Sequence, residues 1–163
     1  MASPPPYKTG MGYDAHKLAP GRRLILGGVH IPYDRGMAGH SDADALLHAV
    51  IDAMLGAAAL PDIGRQFPDT DECLRGADSI TLLKLSRELL LEEGWRIANI
   101  SAVIIAEAPK LSPFIDEMRA NVARTLAIDI TSVGISAKTE EGMGFTGFGE
   151  GIAARCVCLI YNI

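Results

Sequence analysis

Hydrophobic residues recur along the chain with two different periods. Four segments are rich in branched apolar residues, as β-strands are: LILGGVHIPY, IANISAVIIAE, SVGISAK and GIAARCVCLIY. Gly27 and Gly28 predict a tight turn that makes the first segment a hairpin of two strands. The glycine-rich stretch 139–151 is expected to join the last two segments as a second, flexible hairpin loop.

The period of an amphipathic helix first appears near residue 41. Leucine, isoleucine, methionine and alanine side chains recur there every three or four positions up to about Leu60, and Pro61 then ends the pattern. Ser41 is the predicted N-cap of this helix, and Asp42 and Asp44 would lie favourably in its first turn.

Two further segments have the same helical period. Residues 78–94 predict an amphipathic helix that ends at Gly94. Ser112 is the predicted cap of a third helix, with Pro113 at its first position. Strands and helices are mixed rather than strictly alternating. The pattern therefore predicts an α+β fold, a mixed four- to five-stranded sheet with about three helices packed on one face.

Composition narrows the class of protein. A chain of 163 residues with 48% hydrophobic and 21% charged residues predicts a single domain, residues 7–163, after a short flexible N-terminal lead, residues 1–6. The net charge of −5 disfavours non-specific binding to nucleic acid. We expect no secretory signal and no contact with a membrane. The three cysteines are odd in number and have no C-x-x-C spacing, which favours buried thiols and the cytoplasm.

Asp14 and His16 are two residues apart in GYDAHKL and would leave the same face of a strand. His48 projects from the first predicted helix and could provide a third ligand. Two imidazoles and one carboxylate leave the fourth position of a tetrahedral zinc ion open, as catalytic zinc sites do. Asp44 and Asp52 lie one turn to either side of His48 and could orient an imidazole from outside the ligand set.

These three residues allow two other interpretations. Asp14 and His16 could form only an exposed ion pair, which contributes about 0.2–1 kcal/mol. Two histidines and one carboxylate are also the ligands of non-haem iron oxygenases. The ligand set alone does not separate zinc from iron.

Other polar clusters suggest a phosphorylated substrate. His40 and Ser41 precede a predicted helix N-terminus, where free N–H groups attract anions. The acidic loop 62–71 could bind hydroxyl groups or could be merely solvated. Residues 138–141 place a lysine, a threonine and two glutamates at a strand end, which suits phosphate and a divalent cation.

Gly142, Gly144 and Gly147 match the G-x-G-x-x-G pattern of dinucleotide-binding proteins. That motif must open a helix, whereas here a predicted strand follows and the sequence ends at Ile163. A dinucleotide site is therefore not predicted.

The motifs GYDAHKL, GGVHIP, GHSDADALLHAVIDAMLGAAALPDIGRQFPDTD, APKLSP and KTEEGMGFTGFGEGIA resemble the 2-C-methyl-D-erythritol 2,4-cyclodiphosphate synthase family from about Tyr7 to Leu159. The resemblance implies a lyase of the non-mevalonate isoprenoid pathway. Its substrate would be 4-diphosphocytidyl-2-C-methyl-D-erythritol 2-phosphate, cyclised with release of CMP. It further implies a homotrimer with active sites between subunits.

The resemblance also implies roles for individual residues. Asp14, His16 and His48 would hold zinc, and Glu141 would hold magnesium or manganese on the substrate diphosphate. His40 and Thr139 would be the catalytic residues. The substrate would be bound by residues from several segments of the chain: Asp14, His16, His40, Ser41, Asp62, Ile63, Gly64, Phe67, Pro68, Asp69, Thr70, Asp71, Lys138, Thr139, Glu140, Glu141, Phe145 and Phe148. The cytosine pocket would consist of Ala106, Glu107, Ala108, Pro109, Lys110, Leu111, Ser112 and Ala137.

Two positions depart from the family pattern. Phe148 stands where many members have an arginine, and Lys138 replaces a threonine found in some members. The change at Phe148 bears on whether a phosphate, including an isoprenoid diphosphate in the trimer cavity, is bound there. Beside the cyclase, two functions remain in view: a non-haem iron oxygenase, and a non-catalytic module that binds isoprenoid diphosphates or nucleotides.

Overall fold

The computed structural model describes residues 6–39, 41–68, 70–71 and 77–162, so nearly all of the predicted N-terminal lead lies outside it. The strands found there are β1 (Tyr7–Pro20), β2 (Leu24–Leu26), β3 (Val29–Ile31), β4 (Arg35–Met37), β5 (Trp95–Ile105), β6 (Val133–Lys138) and β7 (Gly151–Asn162). The helices are α1 (Ala45–Ala57), α2 (Ile63–Gln66), α3 (Ser79–Glu92), α4 (Ile115–Leu126) and α5 (Gly144–Gly147).

Five strands form one mixed sheet in the order β4-β1-β7-β5-β6. Strands β5 and β6 are parallel, and the other neighbours are antiparallel. The prediction of a mixed sheet is therefore confirmed. The second predicted hairpin is wrong, because β5 lies between β6 and β7 and pairs with both.

The hairpin predicted around two glycines is confirmed. Strands β2 and β3 pair with each other, and Gly27 and Gly28 between them have positive φ angles of 58° and 69°. The turn is close to three helices: a Cβ on Gly27 would meet Met118 of α4 and Leu46 of α1, and one on Gly28 would meet Ile80 of α3. The hairpin thus covers the N-terminal end of the helical layer.

The long helices α1, α3 and α4 cover one face of the sheet, with α3 between the other two. Helix α1 lies directly on β1 because two glycines of that strand face it. A Cβ on Gly10 would come within 2.1 Å of the carbonyl oxygen of Ala53, and one on Gly12 within 1.9 Å of that of Ala49. Glycine is required at both positions to let the two backbones approach.

Helix α1 is buried on nearly all sides, not only along the predicted apolar stripe. Ten of its thirteen residues are buried, because the sheet covers one side and α3 and the β2–β3 hairpin cover others. Its many alanines allow this close packing. Its side chains join one hydrophobic core with those of β2, β3, β5 and β7.

Two predicted helix caps are wrong, and two predicted loops contain a helical turn. Asp44, not Ser41, is the N-cap of α1, and its carboxylate accepts a hydrogen bond from the Leu47 N–H. Ser41 lies in the preceding turn with a positive φ of 52°, which an N-cap residue does not have. Ser112 opens a 3-10 turn that continues into α4, and its side chain makes no cap bond there. The loops at 62–71 and 139–151 each contain a single helical turn, α2 and α5.

The opposite face of the sheet is open and partly apolar. Tyr7, Met11 and Tyr13 of β1 point away from α1, and Val157 is the register partner of Met11 on β7. These four side chains are between 48% and 73% exposed. An apolar group of this kind on a sheet face marks a surface that fits another protein surface.

Two of the three cysteines lie within the described residues. Cys156 and Cys158 are free thiols buried in β7, as predicted for a strand, and burial raises the pKa of Cys158 to about 12. Cys73 lies outside the described residues. None of the helices that the structure describes is both long and apolar enough to cross a membrane.

Candidate metal centre

Asp14, His16 and His48 come together as the sequence predicts. Asp14 and His16 leave the face of β1 on which α1 lies, and His48 reaches them from α1. Asp14 Oδ2 lies 2.8 Å from His16 Nε2 and 2.9 Å from His48 Nδ1, and the two nitrogens are 3.4 Å apart. Each residue therefore offers one ligand atom to a common point.

The outer nitrogens of both rings are occupied by other groups. His16 Nδ1 lies 3.1 Å from the carbonyl oxygen of Ala38, which can only accept, so Nδ1 carries the proton. In neutral His16 the inner nitrogen, Nε2, then carries a lone pair that faces Asp14. His48 Nε2 lies 3.0 Å from the hydroxyl of Ser79, which is fully buried. Sequence reasoning missed Ala38 and Ser79, because neither belongs to a recognisable motif.

The electrostatics of the cluster favour a cation among the three groups. Partial burial by itself raises the pKa of Asp14, but hydrogen bonds and charges of His16 and His48 outweigh it and hold that pKa well below its usual range. The hydrogen bond with Asp14 raises the pKa of His16. A carboxylate repels an adjacent imidazole lone pair, so a positive charge within the cluster, either a proton on His16 or a metal ion, stabilises the arrangement.

The donor set fits a divalent metal ion. Two imidazole nitrogens and one carboxylate oxygen are ligands that zinc accepts, and the side chains are only 14% to 24% exposed. Asp14 and His16 do form an ion pair, but it is partly buried and includes His48 as a third member, so it is not the isolated exposed pair of the alternative interpretation. Asp14, His16 and His48 could hold a metal ion.

Asp44 and Asp52 do not orient an imidazole, contrary to the prediction. Asp44 is fully buried, and its carboxylate accepts hydrogen bonds from the N–H groups of Gly27, Gly28 and Leu47. Burial raises the pKa of Asp44 to about 6. Asp52 accepts a bond of 2.8 Å from the N–H of Ile63. Their spacing along the helix was right, but backbone N–H groups left open at the hairpin and at α2 bind the carboxylates instead.

The loop predicted to hold the methylerythritol end follows α1. Asp62 caps α2 by accepting from the Arg65 N–H, and Gly64 is exposed beside it. Ile63 and Phe67 pack partly against the core. Pro68, Thr70 and Asp71 are exposed. Asp52 thus ties this loop to the helix that carries His48.

The predicted nucleotide segment follows the end of β5. Ala106 continues the pairing with a bond from its N–H to the carbonyl of Lys138, so residues 106–112 start beside residues 138–141. Ala106 and Leu111 are buried and would offer only backbone groups to a ligand. Ala108, Pro109 and Ala137 are partly buried. Glu107, Lys110 and Ser112 are exposed. The structure therefore brings these two predicted segments together.

Residues 139–148 contain the other predicted ligands of the diphosphate. Thr139 and Glu141 are exposed, and their side chains are hydrogen-bonded at 3.4 Å. Glu140 accepts a hydrogen bond from the buried Thr146 hydroxyl, which fixes α5. Phe145 and Phe148 line a cavity of about 620 Å³ together with His16, Lys17, Leu18 and Arg35.

The metal centre and the strand end at Ala137 lie apart within one chain, whereas Phe145 and Phe148 line the cavity beside His16. Asp14, Ala154, Ile104 and Ala137 form one row across β1, β7, β5 and β6. Three strand spacings separate the ends of this row, a distance of about 14 Å. Within the described residues, Glu141 does not join Asp14, His16 and His48 as a metal ligand. Ser41 is exposed near the metal centre's end of α1, while His40 and Asp69 lie outside the described residues.

Comparison with known proteins identifies similar chains along nearly the whole length. The model of the YgbB family matches residues 7–161. The 2-C-methyl-D-erythritol 2,4-cyclodiphosphate synthase of Clostridium perfringens is 57% identical over 153 residues, which are 94% of this chain and 98% of that protein.

Solved structures agree with the sequence comparison. A 2C-methyl-D-erythritol-2,4-cyclodiphosphate synthase with bound CDP has a TM-score of 0.88 at 36% identity and matches 94% of this chain and 99% of that one. The bifunctional IspDF of Campylobacter jejuni has a TM-score of 0.91 at 39% identity. The match covers 96% of this chain but only 42% of that larger protein.

Proposed function

This chain belongs to the YgbB family, and from that membership we propose that it converts 4-diphosphocytidyl-2-C-methyl-D-erythritol 2-phosphate into 2-C-methyl-D-erythritol 2,4-cyclodiphosphate and CMP. This makes it a lyase of the non-mevalonate isoprenoid pathway. The observation that carries the proposal is the convergence of Asp14, His16 and His48 in a chain so similar to such synthases.

The reaction needs no nucleophile from the protein. An oxygen of the substrate's 2-phosphate attacks the β-phosphorus, the new P–O bond closes the ring, and the bond from that phosphorus to the CMP oxygen breaks. The protein must align the two phosphates and neutralise the charge that moves, which are the main tasks in phosphoryl transfer. This explains how a chain with a net charge of −5 could act on a polyanion.

Asp14, His16 and His48 would hold zinc. A zinc ion bound there supplies a positive charge that stabilises developing negative charge on phosphate oxygen. The three side chains would hold that charge between β1 and α1, and their partial burial would reduce its screening by bulk water. Non-haem iron uses a similar ligand set, but its oxygenases are many-stranded double sheets, unlike this single sheet with three long helices.

We assign the remaining residues to parts of the substrate. His40 and Ser41 would contact the phosphate near zinc, and His40 and Thr139 would stabilise the transition state. The segment 62–71 would bind the methylerythritol hydroxyls, with Asp62 and the Gly64 backbone as polar contacts. This assignment rests on the family resemblance and on the position of the loop beside α1.

The cytidine would lie on residues 106–112, with Ala137 and Lys138 alongside. Thr139 would contact the diphosphate, and Glu141 would bind magnesium or manganese there, because exposed carboxylates suit such hard cations. Glu140, Phe145 and Phe148 complete the proposed substrate surface. The CDP found in the structural relative supports a cytidine nucleotide as the ligand.

The active form would be a homotrimer with sites between subunits. Two observations support it: the apolar residues exposed on the open face of the sheet, and the distance of about 14 Å in one chain between Asp14 and Ala137, beside which the predicted nucleotide segment starts. A neighbouring subunit could bring its residues 106–112 and 138–141 to the metal centre. The single domain, residues 7–163, and a cytoplasmic location stay predictions.

Product analysis tests the proposed reaction. The protein is incubated with the cytidyl substrate, zinc and magnesium, CMP is measured by chromatography, and the cyclic diphosphate by ³¹P NMR. We expect equal amounts of both products. CMP without the cyclic product would indicate a hydrolase, and the absence of both would contradict the proposal.

A pair of histidine variants separates catalysis from binding. His48→Ala should lose turnover and keep cytidine nucleotide binding, because residues 106–112, and not the metal ligands, would hold the cytidine. His30→Ala is the matched control, since His30 is exposed on β3 and away from the ligand set. Full turnover by His48→Ala would contradict the role of the metal. Nucleotide binding without turnover in the wild type would favour the binding-module alternative.

A further inference from the structure

Three side chains, those of His48, Ser79 and Asp42, are connected by hydrogen bonds that lead from the metal centre toward α3. His48 Nε2 lies 3.0 Å from Ser79 Oγ, and the Ser79 hydroxyl is hydrogen-bonded to Asp42 Oδ1. Asp42 Oδ2 also accepts a bond of 3.1 Å from the Ser79 backbone N–H. The Asp42 carboxylate therefore binds both the backbone N–H and the hydroxyl of Ser79. Ser79 in turn connects Asp42 to His48, a proposed metal ligand.

The direction of these hydrogen bonds is fixed by their ends. The Asp42 carboxylate accepts from both Ser79 groups, so the single hydroxyl proton of Ser79 points to Asp42. Ser79 Oγ can then only accept from His48, which places a proton on His48 Nε2. The remaining nitrogen, Nδ1, carries the lone pair 2.9 Å from Asp14, at the point where the metal ligands converge.

The surroundings leave Ser79 few alternative partners. Its side chain is fully buried, so bulk water does not compete for its hydroxyl. Asp42 is held by a turn in which the residues on both sides, Ser41 and Ala43, have positive φ angles of 52° and 53°. Such backbone is unfavourable for residues other than glycine and persists when neighbouring contacts hold it. The paired bonds of Asp42 to Ser79 are contacts of that kind.

We propose that Asp42 and Ser79 are positioning residues that hold His48 in the tautomer with Nε2 protonated, so that Nδ1 is presented to the metal. The inference rests on the proposed metal site. It adds that two residues together set the orientation of His48. One is Asp42, in the turn next to the expected phosphate contacts, and the other is Ser79, the first residue of α3. Hydrogen-bond partners of metal-bound histidines commonly tune affinity in this way.

Asp42→Asn gives a nearly isosteric test. The Asn oxygen would keep accepting from the obligate donor, the Ser79 backbone N–H, and its NH₂ group would then face Ser79 Oγ and donate. The Ser79 proton would turn toward His48 Nε2 and favour the wrong tautomer. An aspartate-to-asparagine change with this effect on histidine is known to preserve geometry and impair function severely.

Cobalt binding, followed by its visible absorption, measures the consequence for the metal. We expect Asp42→Asn and Ser79→Ala to weaken cobalt binding by about 10–100-fold and to change the absorption bands. Ser86→Ala is the matched control, because Ser86 is also buried on α3 but its hydroxyl bonds to the carbonyl of Leu82. It should bind cobalt as the wild type does.

The tautomer itself is read in metal-free protein with ¹⁵N-labelled histidine, by long-range ¹H–¹⁵N NMR, with His48→Ala to assign the signal. The wild type should show His48 protonated at Nε2, and Asp42→Asn should shift protonation to Nδ1. Wild-type cobalt affinity in both variants, an equal loss in Ser86→Ala, or a wild-type His48 protonated at Nδ1 would overturn the inference. If instead the wild type and His48→Ala bind cobalt equally, the metal site itself is wrong, while the NMR result still tests the contact chain.

Discussion

Replacing Gly12 by alanine should separate α1 from β1 and thereby disturb the metal centre. The added Cβ would lie 1.9 Å from the carbonyl oxygen of Ala49 and 2.7 Å from the backbone nitrogen of Ala53. Ordinary contact starts at 3.4 Å, so the backbones must move apart by about 1.5 Å. Both neighbours are helix backbone, which cannot rotate away as a flexible side chain could.

The displacement has two measurable consequences. Overpacking of this kind should lower the free energy of unfolding by about 1–3 kcal/mol, measured by urea denaturation. His48 is on α1, whereas Asp14 and His16 are on β1. The same movement therefore increases the distance of His48 from Asp14 and His16. Metal sites tolerate errors of about 0.2 Å in ligand distances, and a misplacement of about 1 Å can slow catalysis about 100-fold. We therefore expect weaker zinc binding, measured by calorimetry, and CMP release slowed to a similar degree.

Gly134→Ala is the control for this substitution. Gly134 is also a strand glycine, but its Cβ would lie 3.7 Å from the nearest heavy atom, the carbonyl oxygen of Ile100. It should leave metal binding unchanged and alter stability little. If Gly12→Ala has the stability and the zinc affinity of the wild type, the close contact of α1 with β1 does not position His48.

Three further predictions concern the metal, a buried carboxyl and the subunits. A chelator should lower the Tm of the wild type but not that of His48→Ala. The reason is that a metal ion that binds only the folded state stabilises it, by about 2.7 kcal/mol at a 100-fold excess over Kd. An unchanged wild-type Tm would argue against a bound metal. Burial raises the pKa of Asp44 from 3.8 to about 6, so its stabilising contribution is complete below pH 3.8 and is lost as pH rises through 6. In urea titrations of metal-free protein, wild-type stability relative to Asp44→Asn should fall by about 2 kcal/mol between about pH 4 and pH 7. A constant difference would contradict this. Sedimentation should give the wild type three times the chain mass of 17.3 kDa. Val157→Asp should dissociate the trimer, because a charge in an apolar interface is costly, whereas Lys84→Asp on α3 should not. A monomeric wild type would rule out the trimer.

Local pattern predicted much of the fold. The strands β5, β6 and β7 and the helix α3 were placed within a few residues of their observed bounds, and the start of α4 was placed within a few residues, because each has a clear apolar period. The position of β5 between β6 and β7 was missed, because strand order depends on pairing between distant segments. Strand β4 has three residues and no apolar period, so nothing in the sequence distinguished it from a loop.

The metal ligands were predicted because two of them lie close together in a strand and the third follows on a helix. Their outer contacts were not. Asp44 and Asp52 had the right spacing to His48, yet they bind backbone N–H groups of the hairpin and of α2. Ser79 lies thirty-one residues after His48 and meets it only because α3 packs on α1. Such contacts follow from tertiary packing and have no local signal.

Anomalous diffraction at the zinc absorption edge, from crystals grown with zinc and CMP, tests the central claim most directly. The metal centre predicts one strong peak about 2.0–2.2 Å from Asp14 Oδ2, His16 Nε2 and His48 Nδ1. A zinc peak elsewhere, no peak between these three atoms, or coordination through the opposite nitrogen of either ring would contradict it.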